Sequence, residues 1–167
     1  MAGFVEAVEQ GENKIDAGEI RALFARLNDY LMDKTLVENA EEESVFFTEN
    51  RTKPGVVETD SGLQYKIIRE GEGQKPFAQN SVRVMYEGRL IDGSIFDTTY
   101  DTGQPSEFVV GQVIAGWIEG LQLMSVGAEF EFYIPNDLAY GENPRPGGVI
   151  MPGDALIFKV ELLEIIP

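Results

Sequence analysis

Histidine and cysteine are both absent from this 167-residue chain. Without cysteine there is no disulfide and no thiolate nucleophile, and the redox compartment stays open. Without histidine a Ser-His-Asp triad has no base, and a zinc site lacks its usual ligands. Basic residues are scarce: 13 Lys and Arg stand against 29 Asp and Glu, a formal net charge of −16. The excess is spread along the chain, since residues 1–50 hold 12 acids and 4 bases and residues 51–167 hold 17 and 9. Such a surface repels phosphate backbones and anionic lipid, so neither nucleic acid nor a membrane surface is an expected partner. No stretch reaches the apolar length of a membrane span. Met1-Ala2-Gly3-Phe4 does not read as a secretory leader, because Glu6 and Glu9 break any apolar core. As it stands the sequence reads as cytoplasmic, with the bacterial periplasm or cell surface as the alternative if a leader has been removed. No cofactor and no metal are expected.

What is present falls into two segments with different periods. Phe4, Ala7 and Val8 share a helical face, and Gly11 is a plausible stop. Asp16 followed by Glu19 reads as a capping box. Ile20, Leu23, Phe24, Leu27, Tyr30 and Leu31 then recur at helical spacing. No proline or glycine interrupts Glu19 to Asn50, which predicts one long helix of roughly 45–50 Å. The stripe weakens after Leu36, and Glu41-Glu42-Glu43 are expected to face solvent. Arg51-Thr52-Lys53-Pro54-Gly55 is a breaker and marks the boundary.

Beyond it the period is two. Leu63, Tyr65 and Ile67 alternate with polar residues, as do Val82, Val84 and Tyr86. Phe130, Phe132 and Ile134 alternate with Glu129, Glu131 and Tyr133, and Leu156, Phe158, Val160 and Leu162 form the last series. Asp92-Gly93 between two apolar pairs signals a hairpin. Half-buried strands with tight turns predict an antiparallel sheet. Gly116 to Met124, with Trp117, Leu121 and Met124 on one stripe, predicts the short helix that covers it. The fold class is therefore α+β, an antiparallel sheet with a short helix, preceded by a helical arm. The domains are 1–52, the arm and connecting helix, and 53–167.

The densest chemistry lies in a series of apolar and aromatic residues: Tyr86, Phe96 with Asp97, Val113-Ile114, Trp117, Tyr140, Val149-Ile150 and Phe158. Trp117 is the only tryptophan. Taken singly, Trp117, Phe96 and Phe158 read as core, Asp97 as a turn carboxylate and Tyr140 as an ordinary strand-end tyrosine. Together they suggest a greasy pocket with a few hydroxyls and carboxylates. Such a pocket can catalyse a reaction that needs neither nucleophile nor base, the rotation of a prolyl peptide bond. Its barrier, about 20 kcal/mol, comes from amide resonance.

Tyr86-Glu87-Gly88-Arg89-Leu90-Ile91-Asp92-Gly93-Ser94-Ile95-Phe96-Asp97, Val113-Ile114-Ala115-Gly116-Trp117, Leu138-Ala139-Tyr140-Gly141 and Leu156-Ile157-Phe158-Lys159-Val160-Glu161-Leu162 resemble the FK506-binding-protein type of peptidyl-prolyl cis-trans isomerase. The junction Asn50 to Val57, leading into Ser61-Gly62-Leu63-Gln64-Tyr65-Lys66, resembles the Mip-like (macrophage infectivity potentiator) branch. The resemblance implies a twisted sheet wrapped around a short helix, with Trp117 as pocket floor and Tyr86, Phe96, Val113, Ile114 and Phe158 as walls. It places Asp97 beside the twisted amide, the Ile114 N–H and Tyr140 hydroxyl on the substrate's carbonyls, and Val149 and Ile150 over the pocket. Asp97, Tyr140, Phe158 and Tyr86 would then carry catalysis. It further implies proline-containing unfolded or partly folded proteins as substrates, FK506-like macrolides as inhibitors, and a homodimer through the N-terminal helices. The chain departs from the small single-domain relatives at Ser106, where they have an aromatic wall, and at Thr102, where they have an arginine. The competing reading is a non-catalytic chaperone or scaffold that only holds proline-containing peptides.

Overall fold

The computed structural model describes residues 16–166. The short helix expected within the first ten residues lies outside them. Helix α1 runs Ala17–Asn50 without interruption. It starts directly after Asp16 and carries Glu19 in its first turn, as the capping pattern predicts. Seven strands follow: β1 (Val56–Glu58), β2 (Gln64–Arg69), β3 (Ser81–Leu90), β4 (Ile95–Thr98), β5 (Ser106–Val109), β6 (Glu129–Ile134) and β7 (Leu156–Ile166). Helix α2 spans Ala115–Leu123. Among the described residues no helix is long and apolar enough to cross a membrane.

The chain divides into two compact units within α1, Met1–Lys34 and Thr35–Pro167. In the first, the described residues form the exposed N-terminal half of the helix. In the second, one antiparallel sheet has the order β1-β2-β6-β7-β3-β4, with β5 also paired to β3. The long strand β3 serves both: Ser81–Val84 pair with β5, and Glu87–Arg89 pair with β4. The Asp92-Gly93 turn is present, with Gly93 at φ 89° and the Ser94 N–H donating to Asp92 Oδ1 at 2.8 Å. Strands β1 and β5 are too short to leave a period in the sequence.

Period-two burial puts Val82, Val84 and Tyr86 of β3, Phe130, Phe132 and Ile134 of β6, and Phe158, Val160 and Leu162 of β7 on one face, around α2. The close approach of α2 depends on two glycines. A Cβ on Gly116 would lie 2.5 Å from Ile134 Cγ2, and one on Gly120 2.6 Å from Phe132 Cε1. Leu121 and Met124 point into the core and are fully buried.

The opposite face of β6 and β7 is also covered, which the alternation did not anticipate. Tyr133, read as outward, is buried with Ile157 and Phe47 in a second cluster. Phe46 and Phe47 from the end of α1 pack there, with Phe46 and Tyr133 ring centroids 6.0 Å apart. Gln64, also read as outward, is fully buried because it receives the end of the helix. Its Nε2 donates to Phe47 O at 3.0 Å and to Glu58 Oε2, and its Oε1 accepts from Asn50 Nδ2 at 2.9 Å. Ile67, read as inward, shares the face of its cross-strand partner Phe130 but stays 38% exposed near the end of β2. Glu43, expected in solvent, is half-buried and accepts hydrogen bonds from Asn136.

The glycine contacts predict that Gly120→Ala destabilises the fold. Overpacking against Phe132 costs about 1–3 kcal/mol, only partly offset by the ~1 kcal/mol that alanine gains over glycine in a helix. Urea unfolding followed by Trp117 fluorescence should give a lower midpoint; an unchanged or higher midpoint contradicts the account.

Candidate functional site

Between the concave sheet face and the N-terminus of α2 lies an open pocket of about 500 Å³. Tyr86 from β3, Phe96 and Asp97 from β4, Phe158 from β7, Val113 and Ile114 from the turn before α2, Trp117 from α2 and Tyr140 from the β6–β7 connection all line it. Eight of the ten residues singled out in the sequence therefore converge. Val149 and Ile150 line an adjoining cavity of about 380 Å³ that shares Phe96, Asp97 and Tyr140 with the first.

The floor is an edge-to-face aromatic set. Trp117 meets Phe158 at 5.2 Å and 84°, and Tyr86 at 5.3 Å and 88°. Phe96 meets Phe158 at 5.5 Å and 87°. These T-shaped pairs match positive ring edges to negative faces and restrict each ring's freedom. Gly88 makes the Phe96–Phe158 contact possible, since a Cβ there would lie 2.7 Å from both rings. Phe108 of β5 closes the set, 5.5 Å from Trp117 and 5.9 Å from Tyr86. It and Gln112 are the lining residues the sequence reading missed. Phe108 is half-buried in a four-residue strand, so only its register with Val82 on β3 reveals its direction.

The polar groups are few and placed. The Tyr86 hydroxyl donates to Asp97 Oδ2 at 2.5 Å. Burial, reinforced by that carboxylate, holds the Tyr86 phenol well above its ordinary range, so it stays a neutral donor. Thr99, also missed, anchors the other end of this pair: its Oγ1 accepts the Tyr86 backbone N–H at 2.9 Å and lies 3.2 Å from the Tyr86 carbonyl. Ile114 caps α2 in extended conformation (φ −60°, ψ 151°), and its carbonyl accepts the N–H groups of Trp117 and Ile118. Tyr140 is about half exposed, at 47%. Thr102, at a departure from the small relatives, donates to Thr99 O at 3.2 Å and so supports the β4–β5 turn.

An antiparallel sheet wrapped around a short helix, with an aromatic pocket at that helix's start, defines an α+β pocket domain. Residues 72–163 match the family model "FKBP-type peptidyl-prolyl cis-trans isomerase", and residues 1–67 match "Domain amino terminal to FKBP-type peptidyl-prolyl isomerase". The chain belongs to the FKBP-type peptidyl-prolyl cis-trans isomerase family. It is 50% identical over 127 residues to "Peptidyl-prolyl cis-trans isomerase Mip" of Coxiella burnetii, covering 76% of this chain and 55% of that protein. It is 48% identical over 134 residues to "Outer membrane protein MIP" of Legionella longbeachae, covering 80% and 57%. The chain thus spans little more than half the length of these curated relatives. Its structure resembles the crystal structure of FkpA from Escherichia coli, with a TM-score of 0.86 and 34% identity over 98% of this chain and 79% of that one.

The raised phenols carry a pH signature. Burial first, then a neighbouring carboxylate, raises both Tyr86 and Tyr133 above the ordinary value of 10.0. A raised folded value means that the associated stability is fully present below about pH 10 and is lost as pH rises through the folded value. The urea midpoint of Tyr86→Phe should therefore fall less steeply above pH 10 than that of the parent chain. At neutral pH the variant should lose about 1 kcal/mol with the hydroxyl bond. Parallel alkaline limbs would contradict the assignment.

Proposed function

We propose that this chain catalyses cis-trans rotation of Xaa-Pro bonds in unfolded or partly folded proteins. The observation that carries the reading is the convergence of Trp117, Tyr86, Phe96, Phe158, Asp97, Ile114 and Tyr140 on one pocket, in a chain of this family.

The chemistry follows from amide polarity. Planar resonance puts negative charge on the carbonyl oxygen of the residue before proline, and twisting the bond reduces it. An apolar aromatic floor therefore disfavours the planar ground state more than the twisted one, which is differential stabilisation of the transition state. Each 1.4 kcal/mol gained is roughly tenfold in rate. The proline ring would sit over Trp117. The Ile114 N–H and Tyr140 hydroxyl would hold the flanking carbonyls while the bond turns, and Asp97, oriented by Tyr86, would supply polarity beside it. Val149 and Ile150 would cover the substrate from the adjoining cavity. No proton moves, in keeping with a chain lacking histidine.

The chain should accelerate isomerisation of an Xaa-Pro peptide, best with an apolar residue before proline, and FK506 should compete. Asp97→Leu and Phe158→Tyr should each lower kcat/KM by on the order of tenfold, equal to one lost interaction of about 1.4 kcal/mol, with the circular dichroism spectrum unchanged. An uncatalysed rate at micromolar parent protein rejects the enzyme and leaves the peptide-holding reading.

The residues 1–52 form, on this reading, a helical dimerisation arm, and the catalytic domain is 53–167. Ile20, Leu23, Phe24, Leu27 and Tyr30 support it: they are 40–67% exposed on α1, an apolar stripe of the kind that marks an interface. A symmetric copy laid on that stripe would hold two pockets on one client, raising affinity without new contacts. Light scattering should give a dimer for the whole chain and a monomer for a chain beginning at Thr35. A monomeric whole chain at high concentration rejects the arm's role. For location, the outer-membrane designation of the Legionella relative favours the cell-envelope alternative over the cytoplasmic expectation, which no comparison supports.

A further inference from the structure

The inward residues of the last third of α1 form an unusual stripe. Leu36, Asn39, Glu43, Phe46, Phe47 and Asn50 recur at spacings of three and four and are half-buried or buried. A helix needing only adhesion would use apolar residues at these positions. Here two of the middle ones are polar, and both bond to one segment of the sheet domain.

Glu43 Oε2 accepts the Asn136 backbone N–H at 3.0 Å and the Asn136 side-chain N–H at 2.8 Å. Asn39 Nδ2 donates to Pro152 O at 2.9 Å and to Asp154 Oδ1 at 2.7 Å. Between these two anchors lies the β6–β7 connection, which carries Tyr140, Val149 and Ile150. Its base is closed on itself: Gly141 N–H donates to Asn136 O at 2.8 Å, and Gly153 N–H donates to Gly141 O at 3.0 Å. Gly153 also lets the backbone press on the helix. It sits at φ 79°, and a Cβ there would lie 2.9 Å from Leu36 Cδ1. Asp154 completes the clasp, its Oδ2 accepting the Met151 N–H at 2.7 Å.

We propose that the last third of α1 is a clasp for the pocket-rim segment 136–154, with Glu43 and Asn39 as positioning residues for Tyr140, Val149 and Ile150. Neither residue touches the pocket. They act by gripping both ends of the connection where its own hydrogen bonds join them. The middle of the connection is loop without a strand partner, so its geometry depends on how its ends are held. The consequence for catalysis rests on the isomerase reading. The arm helix is then more than a spacer, since its end is built into the substrate rim.

The test uses the whole chain with Glu43→Ala, Asn39→Ala, the conservative Glu43→Gln, and Glu41→Ala as an exposed control on the same helix. Amide hydrogen exchange of residues 139–150 reads the rim directly. In Glu43→Ala and Asn39→Ala exchange there should rise, while that of β3 and β7 stays unchanged. With an Ala-Leu-Pro-Phe tetrapeptide, KM should rise about 3- to 10-fold with kcat within about twofold, the scale of one or two net hydrogen bonds. Glu43→Gln keeps an acceptor oxygen for both Asn136 donors and should restore both readouts; Glu41→Ala should change neither. Unchanged exchange overturns the clasp. Raised exchange with unchanged KM shows a purely structural contact and overturns the positioning role. If the parent chain proves inactive, the isomerase reading fails by itself. Peptide affinity from Trp117 fluorescence then replaces KM, with the same 3- to 10-fold loss expected and an unchanged affinity overturning the role.

Discussion

Helix α2 lies against the sheet at a separation that only glycine allows. Gly116 faces Ile134 and Gly120 faces Phe132, with no space for even a methyl group at either position. That approach sets the depth of Trp117. A helix one side chain further out would carry the indole out of edge contact with Phe158 and Tyr86, and the pocket would lose its floor. Interiors are packed to crystal density, so such spacing is not adjusted by small relaxations. Gly88 has the same effect in the next layer outward, where Phe96 and Phe158 meet across it. Three glycines thus determine the shape of a cavity that they do not themselves line.

The same construction explains how a pocket without a base can be selective. Its walls are aromatic rings whose orientations are mutually constrained, and its polar groups are held by one another and by the strand behind them. Tyr86 is fixed at its backbone by Thr99 and at its hydroxyl by Asp97. Under the isomerase proposal, a neutral phenol donating to a carboxylate would give a local dipole that needs no reorganisation when a substrate amide loses its own polarity. On the proposed reading the arrangement would serve bond rotation, where charge is redistributed and no atom is transferred.

Both faces of the central strands are occupied. The concave face packs on α2, and the outer face of β6 and β7 receives Phe46 and Phe47 of α1. The landing is polar as well as apolar, through Asn50 with Gln64 and through Glu43 and Asn39 with the rim connection. In a chain with 29 acidic residues, Glu43 is among those that serve as hydrogen-bond acceptors and not only as solubilising charges. The rest of the sheet's outer surface carries exposed cross-strand ion pairs such as Arg69 with Glu129 and Glu161, which contribute little individually.

Period and composition by themselves determined the long helix from Ala17 to Asn50, the β3, β6 and β7 strands, the Asp92-Gly93 turn and the short helix bearing Trp117. Each is encoded in neighbouring residues, through alternation, helical spacing or a turn dipeptide. The ordered series from Tyr86 to Phe158 made the pocket legible through its resemblance to a family, because its motifs sit on the elements that period had already located. What tertiary structure decided lies where two elements meet. Tyr133 and Gln64 look outward by alternation and are buried because a helix some fifteen or more residues earlier in sequence returns to cover them. Phe108 joins the aromatic floor through the register of a four-residue strand too short to show a period. Glu43 sits in a run of three glutamates with no local mark to distinguish it, and only the fold brings Asn136, 93 positions away, to its carboxylate. Local pattern reports which face of an element is apolar; it carries no information on which distant segment will arrive at the other face.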